Sequence, residues 1–399
     1  MARVLAAWLD GFSSRYLSKE NTPFIYKSAK EGFYFHLKPM FAFTGIGVSI
    51  FTSTRITTHN VWSDYILTEQ PKKKPKLFRS LIKVCDTLPN DTLDQYGRNI
   101  VYRLFRRSQG IPNLIPLNLI DLFELKLNKN ITGLNMIGNL PTLFGVLHKY
   151  GIKYAEFGIT ESLFESAIVR NVIRSLKNDE FKLILFRLGS LDRIGHKHGP
   201  ESKEVKNKLL EIDQIIEGIV EEALKTSEKT DVIIFSEHGM APVKQYINLA
   251  CLLSKLKFRV PEDYIFFINS TATNFWFKNE SVKQAILKEL EKLDYGFIFD
   301  SETLRKMGIF EEYGELLFAL KEYCVFFPDF YRCRKPPKGM HGYAYSSYDT
   351  PILILFTKGR GRNLSKHLLE AELVDIMPTI LSLLNLPIPA TCEGKPLIC

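Results

Sequence analysis

The sequence predicts an α/β protein, a three-layer αβα sandwich with a mostly parallel central sheet and inserted α+β cap segments. Amphipathic stretches alternate with short apolar runs: 141–150 before 152–157, 163–176 before 181–188, and 204–224 before 231–236. Repeated helix-then-strand order builds parallel sheets. Four apolar runs also lie beside carboxylates, imidazoles and glycines. The first, 4–9, runs into Asp10-Gly11, and 183–186 precedes the polar stretch from Asp192 to Pro200. The run 231–236 meets Glu237-His238-Gly239, and His341-Gly342 stands just ahead of 351–356. Polar residues at strand ends are where α/β enzymes place their sites.

The totals set bounds. A chain of 399 residues holds two or three domains, or one large α/β domain with insertions. A hydrophobic content of 45% is ordinary for a protein with a sizeable core. The net charge of +9, from 53 basic and 44 acidic residues, favours anionic ligands without demanding nucleic acid. Cys85, Cys251, Cys324, Cys333, Cys392 and Cys399 are scattered with no CxxC pair, so neither a disulfide scaffold nor a zinc ribbon is indicated. Free thiols fit a reducing compartment. No apolar run approaches the roughly 18 residues of a membrane span. The apolar start, 1–9, is broken by Asp10-Gly11-Phe12 too early for a signal peptide. These features predict a cytoplasmic protein without membrane association.

Along the chain, 3–9 reads as a strand, 23–32 as a short helix closed by glycine, and 33–37 as a second strand. In 41–54, Thr44 stands between an aromatic and a glycine ahead of an apolar-periodic run, which suggests a loop feeding a helix amino end. Such an end favours an anion; the plainer reading makes Thr44 a helix cap. From about residue 65 the texture changes. A lysine-rich loop, 71–76, is followed by Arg98, Arg103, Arg106 and Arg107 among apolar residues. A solvated face or a lid over an anionic substrate accounts for them better than a nucleic-acid patch. Segment 256–337 mixes aromatic strands with one helix, 282–293, and a final helix is expected over 372–384. The predicted core is therefore 1–64 with 141–255 and 338–399, interrupted by a basic insertion, 65–140, and an α+β cap, 256–337.

Six residues are candidate metal ligands: Asp10, Asp192, His196, Glu237, His238 and His341. Taken singly, each histidine is more readily a core or surface residue. Together the carboxylates and imidazoles form mixed oxygen and nitrogen sets of the kind zinc takes. Asp192 and His196 are four apart, so one helical turn could aim both at one ion. Adjacent Glu237 and His238 can address one centre only from a loop. Two ions a few ångströms apart suit displacement at phosphorus, with Thr44 as the natural nucleophile. Ser49 is the alternative if the register differs. His198 suits a supporting role and His59 a packing one, while His36, His148 and His367 read as ordinary.

Leu9-Asp10-Gly11, Asp192-x-x-Gly195-His196-x-x-Gly199-Pro200, Ser236-Glu237-His238-Gly239-Met240 and His341-Gly342-Tyr343 together resemble the type I phosphodiesterase/nucleotide pyrophosphatase family of the alkaline phosphatase superfamily. The stretch 374–380 resembles that family's closing helix. The resemblance covers 3–60, 141–250 and 338–399. It implies an alkaline phosphatase-like fold, two divalent metal ions and a covalent phosphothreonine intermediate on Thr44. The ions would be zinc, with manganese, iron or magnesium as substitutes. Asp192, His196 and His341 would hold one ion, and Asp10, Glu237, His238 and the Thr44 hydroxyl the other. The implied reaction is hydrolysis of a phosphodiester or pyrophosphate bond in a small anionic organic phosphate, a nucleotide among the candidates. The same site could serve a phosphonate or phosphomonoester hydrolase, a phosphoryl transferase, or a silent metal-binding module. Two departures stand out. Glu237 replaces the family's usual Asp, and Thr44-Gly45-Ile46-Gly47 replaces a Thr-Phe-Pro-Asn-like stretch. The sulfatase signature CxPxR is absent.

Overall fold

Seven strands form the central sheet of the computed structural model: β1 (Arg3–Leu9), β2 (Phe33–Lys38), β3 (Tyr154–Phe157), β4 (Leu183–Leu188), β5 (Thr230–Phe235), β6 (Ile352–Thr357) and β7 (Leu369–Glu372). Their order is β7-β2-β6-β5-β1-β4-β3. β1 pairs in parallel with β4 and β5, β4 with β3, and β2 with β7, whereas β6 runs antiparallel to both β5 and β2. The structure describes residues 3–71, 73–105, 114–127, 132, 135–159, 164–227, 229–357 and 369–398. Arg106, Arg107, His367 and Cys399, and the expected helix start at 163, lie outside them.

Alternate residues of each strand feed opposite faces, which explains why the central strands are apolar throughout. One face packs Val4, Ala6, Trp8, Leu185, Ile233 and Phe235 against helices α2 (Gly45–Thr52), α5 (Leu143–Lys149) and α9 (Ile376–Leu383). The other packs Leu5, Ala7, Ile184, Phe186, Val232 and Ile234 against α1 (Pro23–Glu31), α6 (Glu165–Leu176) and α8 (Lys203–Thr226). This is the expected three-layer α/β sandwich. In α8, Val205, Leu209, Ile212, Ile216, Ile219 and Val220 are the buried stripe of an otherwise charged helix.

Caps explain where helix ends differ from the periodicity. Thr142 caps α5 through the Gly145 N–H, so the helix starts after Pro141. Asn279 accepts from the Val282 N–H, which starts the next helix at Glu280 rather than 282. The closing helix begins late because Glu372 and Asp375 form a reciprocal capping box around a 3₁₀ turn, Leu373–Asp375.

Two further units sit beside the sandwich. Between β2 and β3, helices α3 (Lys76–Cys85) and α4 (Asp91–Leu104) form a hairpin. A separate four-stranded antiparallel sheet runs Tyr264–Ile268, Ala272–Phe277, Leu316–Leu320 and Gly296–Asp300 in spatial order. Phe78, Ile82, Val101 and Tyr102 of the hairpin share a core with Phe267, Phe275, Phe318 and Phe330 of this second unit. Arg98 is not on the solvated face expected from the sequence. Arg98 is buried between Asp94, at 2.8 Å, and Asp86. Within the lysine loop, Lys74 is also buried, 3.7 Å from Asp121.

Candidate metal centre

The sheet brings the six ligand candidates to one edge. Asp10 follows β1, Asp192 and His196 lie on helix α7 (Ser190–His198) just past β4, and Glu237-His238 follow β5. β6 is antiparallel, so the segment before it reaches the same edge. A two-residue ladder pairs Ala241 with Met340 and holds His341 near the His238 loop. Helix α7 needs close approach: a Cβ on Gly195 would lie 2.4 Å from the Met240 sulfur. Gly342, beside His341, has φ +79°, a conformation that favours glycine.

Asp192 Oδ1 lies 3.3 Å from His196 Nε2 and 3.5 Å from His341 Nε2. Asp10 Oδ1 lies 3.4 Å from His238 Nε2, and Glu237 Oε1 lies 3.6 Å from the same nitrogen. One donor atom each from Asp192, His196 and His341 falls within 4.8 Å of the others, as do those of Asp10, Asp192 and His238. Asp10 Oδ1 and Asp192 Oδ1 are buried with no hydrogen-bond partner among the described residues. A buried carboxylate oxygen in that state calls for a cation. The imidazoles are aimed from behind: His196 Nδ1–H donates to the Gly339 carbonyl at 2.8 Å and His238 Nδ1–H to the Gly239 carbonyl at 2.9 Å. Each Nε2 is thereby turned toward the carboxylates, the arrangement that orients histidine ligands in metal sites. The donor sets therefore fit divalent ions.

Electrostatics say the same. Burial raises Glu237, and neighbouring Asp10 raises it further, well above the usual carboxylate range. Burial opposes charge on His238, yet Glu237, Asp10 and Asp192 push that imidazole up to about 9. Burial also works against Asp192, but the flanking His196, His341 and His238 hold it well below its ordinary value. Burial and the neighbouring His238 push His341 well down. Burial and the neighbouring Asp10 thus favour the protonated form of Glu237, a charge conflict that bound cations would relieve.

Four supporting residues escaped the sequence reading. Trp8 Nε1–H donates to Glu237 Oε2 and Arg187 Nη2–H to Asp10 Oδ2, which leaves Oε1 and Oδ1 for the centre. The longer Glu237 is accommodated because Trp8 holds its far oxygen. Asp349 Oδ1 accepts from the Gly239 N–H at 2.6 Å and fixes the His238 loop. A signal for Arg187 existed: it is the only charged residue in the apolar strand Leu183–Leu188.

Thr44 precedes α2, but its side chain does not cap that helix. Its hydroxyl donates to Asp64, the fourth residue missed, whose other oxygen accepts from Tyr331 Oη–H at 3.3 Å. Burial raises Asp64 above the usual carboxylate range, against the lowering effect of both hydrogen bonds. The Thr44 loop packs on the His341 segment, since a Cβ on Gly342 would lie 3.1 Å from the Phe43 ring. A side chain at Gly47 would meet open space. Ser49 is fully buried and takes a hydrogen bond at 2.8 Å from His59 Nε2, whose Nδ1 accepts from the Val61 N–H. That geometry makes Ser49 and His59 packing residues and leaves Thr44 as the available hydroxyl. His198 Nδ1 lies 3.5 Å from Glu204 Oε1.

Tyr331 is positioned by buried Asp329, which accepts from the Tyr331 and Arg332 N–H groups and from Ser270 Oγ–H. Burial raises Asp329 to about 6 from its ordinary 3.8. The folded state therefore holds this proton more tightly than the unfolded chain. Its stabilising contribution is complete below about pH 4 and is lost as pH rises through about 6, an effect of about 3 kcal/mol. Asp329→Asn should remove this slope, measured as denaturation midpoints across that range.

A model of the type I phosphodiesterase/nucleotide pyrophosphatase family matches residues 148–296, which include Asp192, His196, Glu237 and His238. Rat ectonucleotide pyrophosphatase/phosphodiesterase family member 7 is 33% identical over 82 residues, 20% of this chain and 18% of its own. The mouse protein of that name is 27% identical over 214 residues, 53% of this chain and 39% of its own. GPI ethanolamine phosphate transferase 2 of Candida albicans is 38% identical over 96 residues, 22% of this chain and 11% of its own. The matched stretches thus span well under half of these relatives. Solved murine ectonucleotide pyrophosphatase/phosphodiesterase 5 superimposes with TM-score 0.68 at 14% identity, covering 97% of this chain and 96% of the other. Its inactive Thr-to-Ala variant in complex with AMP gives 0.67 at 14% identity, covering 98% and 96%. The architecture is the alkaline phosphatase-like one.

Proposed function

We propose that this chain, a member of the type I phosphodiesterase/nucleotide pyrophosphatase family, hydrolyses a phosphodiester or pyrophosphate bond in a small anionic organic phosphate. The observation that carries this reading is the pair of unpartnered buried oxygens, Asp10 Oδ1 and Asp192 Oδ1, set among imidazole nitrogens. Asp192, His196 and His341 would hold one divalent ion. Asp10, Glu237 and His238, with the Thr44 hydroxyl, would hold a second. Zinc suits these donors, with manganese, iron or magnesium as substitutes. When bound, such a pair supplies positive charge to the phosphoryl oxygens and the leaving group.

The chain's own residues supply the rest. Thr44 Oγ1 attacks phosphorus, and its proton passes to Asp64, which already accepts its hydrogen bond. The raised proton affinity of Asp64 suits it as the acceptor. Tyr331 holds the second Asp64 oxygen, so the carboxylate cannot swing away from Thr44. The bond to the leaving group breaks, and water then opens phosphorylated Thr44. Arg187 and Trp8 keep Asp10 and Glu237 oriented throughout.

The AMP complex of the structural neighbour supports a nucleotide-type substrate. The ethanolamine phosphate transferases among the relatives favour a second reading, in which an alcohol replaces water in the second step. A panel of bis-nitrophenyl phosphate, nitrophenyl phosphate, a nitrophenyl phosphonate and a nucleotide sugar tests the proposal on zinc-loaded protein. Diester or pyrophosphate cleavage that a chelator stops is expected. Release that requires an added alcohol would favour transfer, and no release from metal-loaded protein would leave a silent binding module.

A further inference from the structure

The helical hairpin α3–α4 carries an apolar face with no partner among the described residues. Among the described residues twelve large hydrophobic side chains are exposed, and six of them lie on these two helices: Leu77, Val84, Leu93, Tyr96, Ile100 and Leu104. Leu77, Tyr96 and Leu104 are each more than 60% exposed. On α4 the spacing 93, 96, 100 and 104 makes one continuous stripe, and on α3 residues 77 and 84 are two turns apart. The buried sides, Phe78 and Ile82 on α3 and Asp94 and Arg98 on α4, face the second core. Gly97 meets Cys85 and fixes which flanks of the antiparallel helices touch. With that contact set, helical periodicity puts both stripes on the side away from the core.

Charge identifies what this face fits. The only acidic residues from 73 to 105 are Asp86, Asp91 and Asp94. All three are spent in internal ion pairs, Asp86 and Asp94 with Arg98, and Asp91 and Asp94 with Arg334. Lys73, Lys76, Lys83 and Arg103 remain exposed around the apolar stripes. An apolar face whose acidic neighbours on the same helices are already paired, leaving cations exposed, is what a helix needs to lie in an anionic lipid surface. A nucleic acid would leave the aliphatic stripe in water. We propose that the α3–α4 hairpin docks the protein on anionic membranes by its exposed face. No described helix is long and apolar enough to cross a membrane, and interfacial docking needs none. The proposal departs from the expectation of no membrane association.

Co-sedimentation of the full chain with phosphatidylcholine vesicles, with and without phosphatidylserine, tests this. Sedimentation is expected with phosphatidylserine vesicles and should fall as salt rises from about 0.1 M to about 1 M. Ile100→Glu and Leu104→Glu should cut binding roughly tenfold or more. Lys76→Glu with Lys83→Glu, which alters no packed residue, should do the same, with turnover of a soluble diester unchanged in each case. Wild-type protein that stays in the supernatant at low salt overturns the proposal. So does equal sedimentation of all variants, or a dimer in light scattering that Ile100→Glu dissolves.

Discussion

Thr44→Ala should eliminate turnover while leaving bound metal and the folding transition nearly unchanged. The Thr44 hydroxyl donates to Asp64, and no helix cap depends on it. Losing it therefore removes chemistry with little structural penalty. Deleting a nucleophile that acts with its base typically lowers the rate by about 10⁴-fold or more. The check is turnover on the preferred diester, read beside metal content and thermal melting of the same sample. Retained turnover would remove Thr44 from the reaction. Ser49 would be a poor replacement because it is fully buried against His59.

Asp192→Asn should empty the centre. Asp192 belongs to both clusters of candidate donors, and its Oδ1 faces His196 and His341 with no hydrogen-bond partner among the described residues. Replacing that carboxylate removes one negative charge from a site that holds Glu237 and Asp10 close together. Loss of this ligand should lower affinity for the ion held with His196 and His341 by more than the roughly 10–100-fold expected of a supporting residue, and loosen the second ion because Asp192 also lies within reach of Asp10 and His238. Wild-type protein and the variant, dialysed side by side against limiting zinc, should differ in bound metal before any activity is read. Trp8→Phe is the graded counterpart. It keeps the ring packed against Phe235 and removes only the hydrogen bond to Glu237, so its effect should fall in that smaller range.

The sandwich was legible because two periodicities dominate it. The 3.6-residue stripe of Lys203–Thr226 and the apolar run of β5 state their environment directly. The ligands were legible because each lies within a few residues of such a run. Asp64 was not, because its role depends on meeting Thr44 and Tyr331 across the fold, and nothing in Ser63-Asp64-Tyr65 distinguishes it from a loop residue. Arg98 misled for a related reason. Within a basic stretch it reads as a surface charge, and only the packed hairpin brings Asp94 and Asp86 to it. Helix ends shifted by a few residues wherever a side-chain cap, such as Thr142 or Asn279, outweighed the hydrophobic pattern.

The most direct test is anomalous X-ray diffraction from zinc-soaked crystals of the wild type and of Asp192→Asn. The account predicts peaks among Asp192, His196 and His341 and among Asp10, Glu237 and His238, with the Thr44 hydroxyl beside them, and weak or absent peaks in the variant. Zinc bound elsewhere in the wild type, or undiminished peaks in Asp192→Asn, would contradict it.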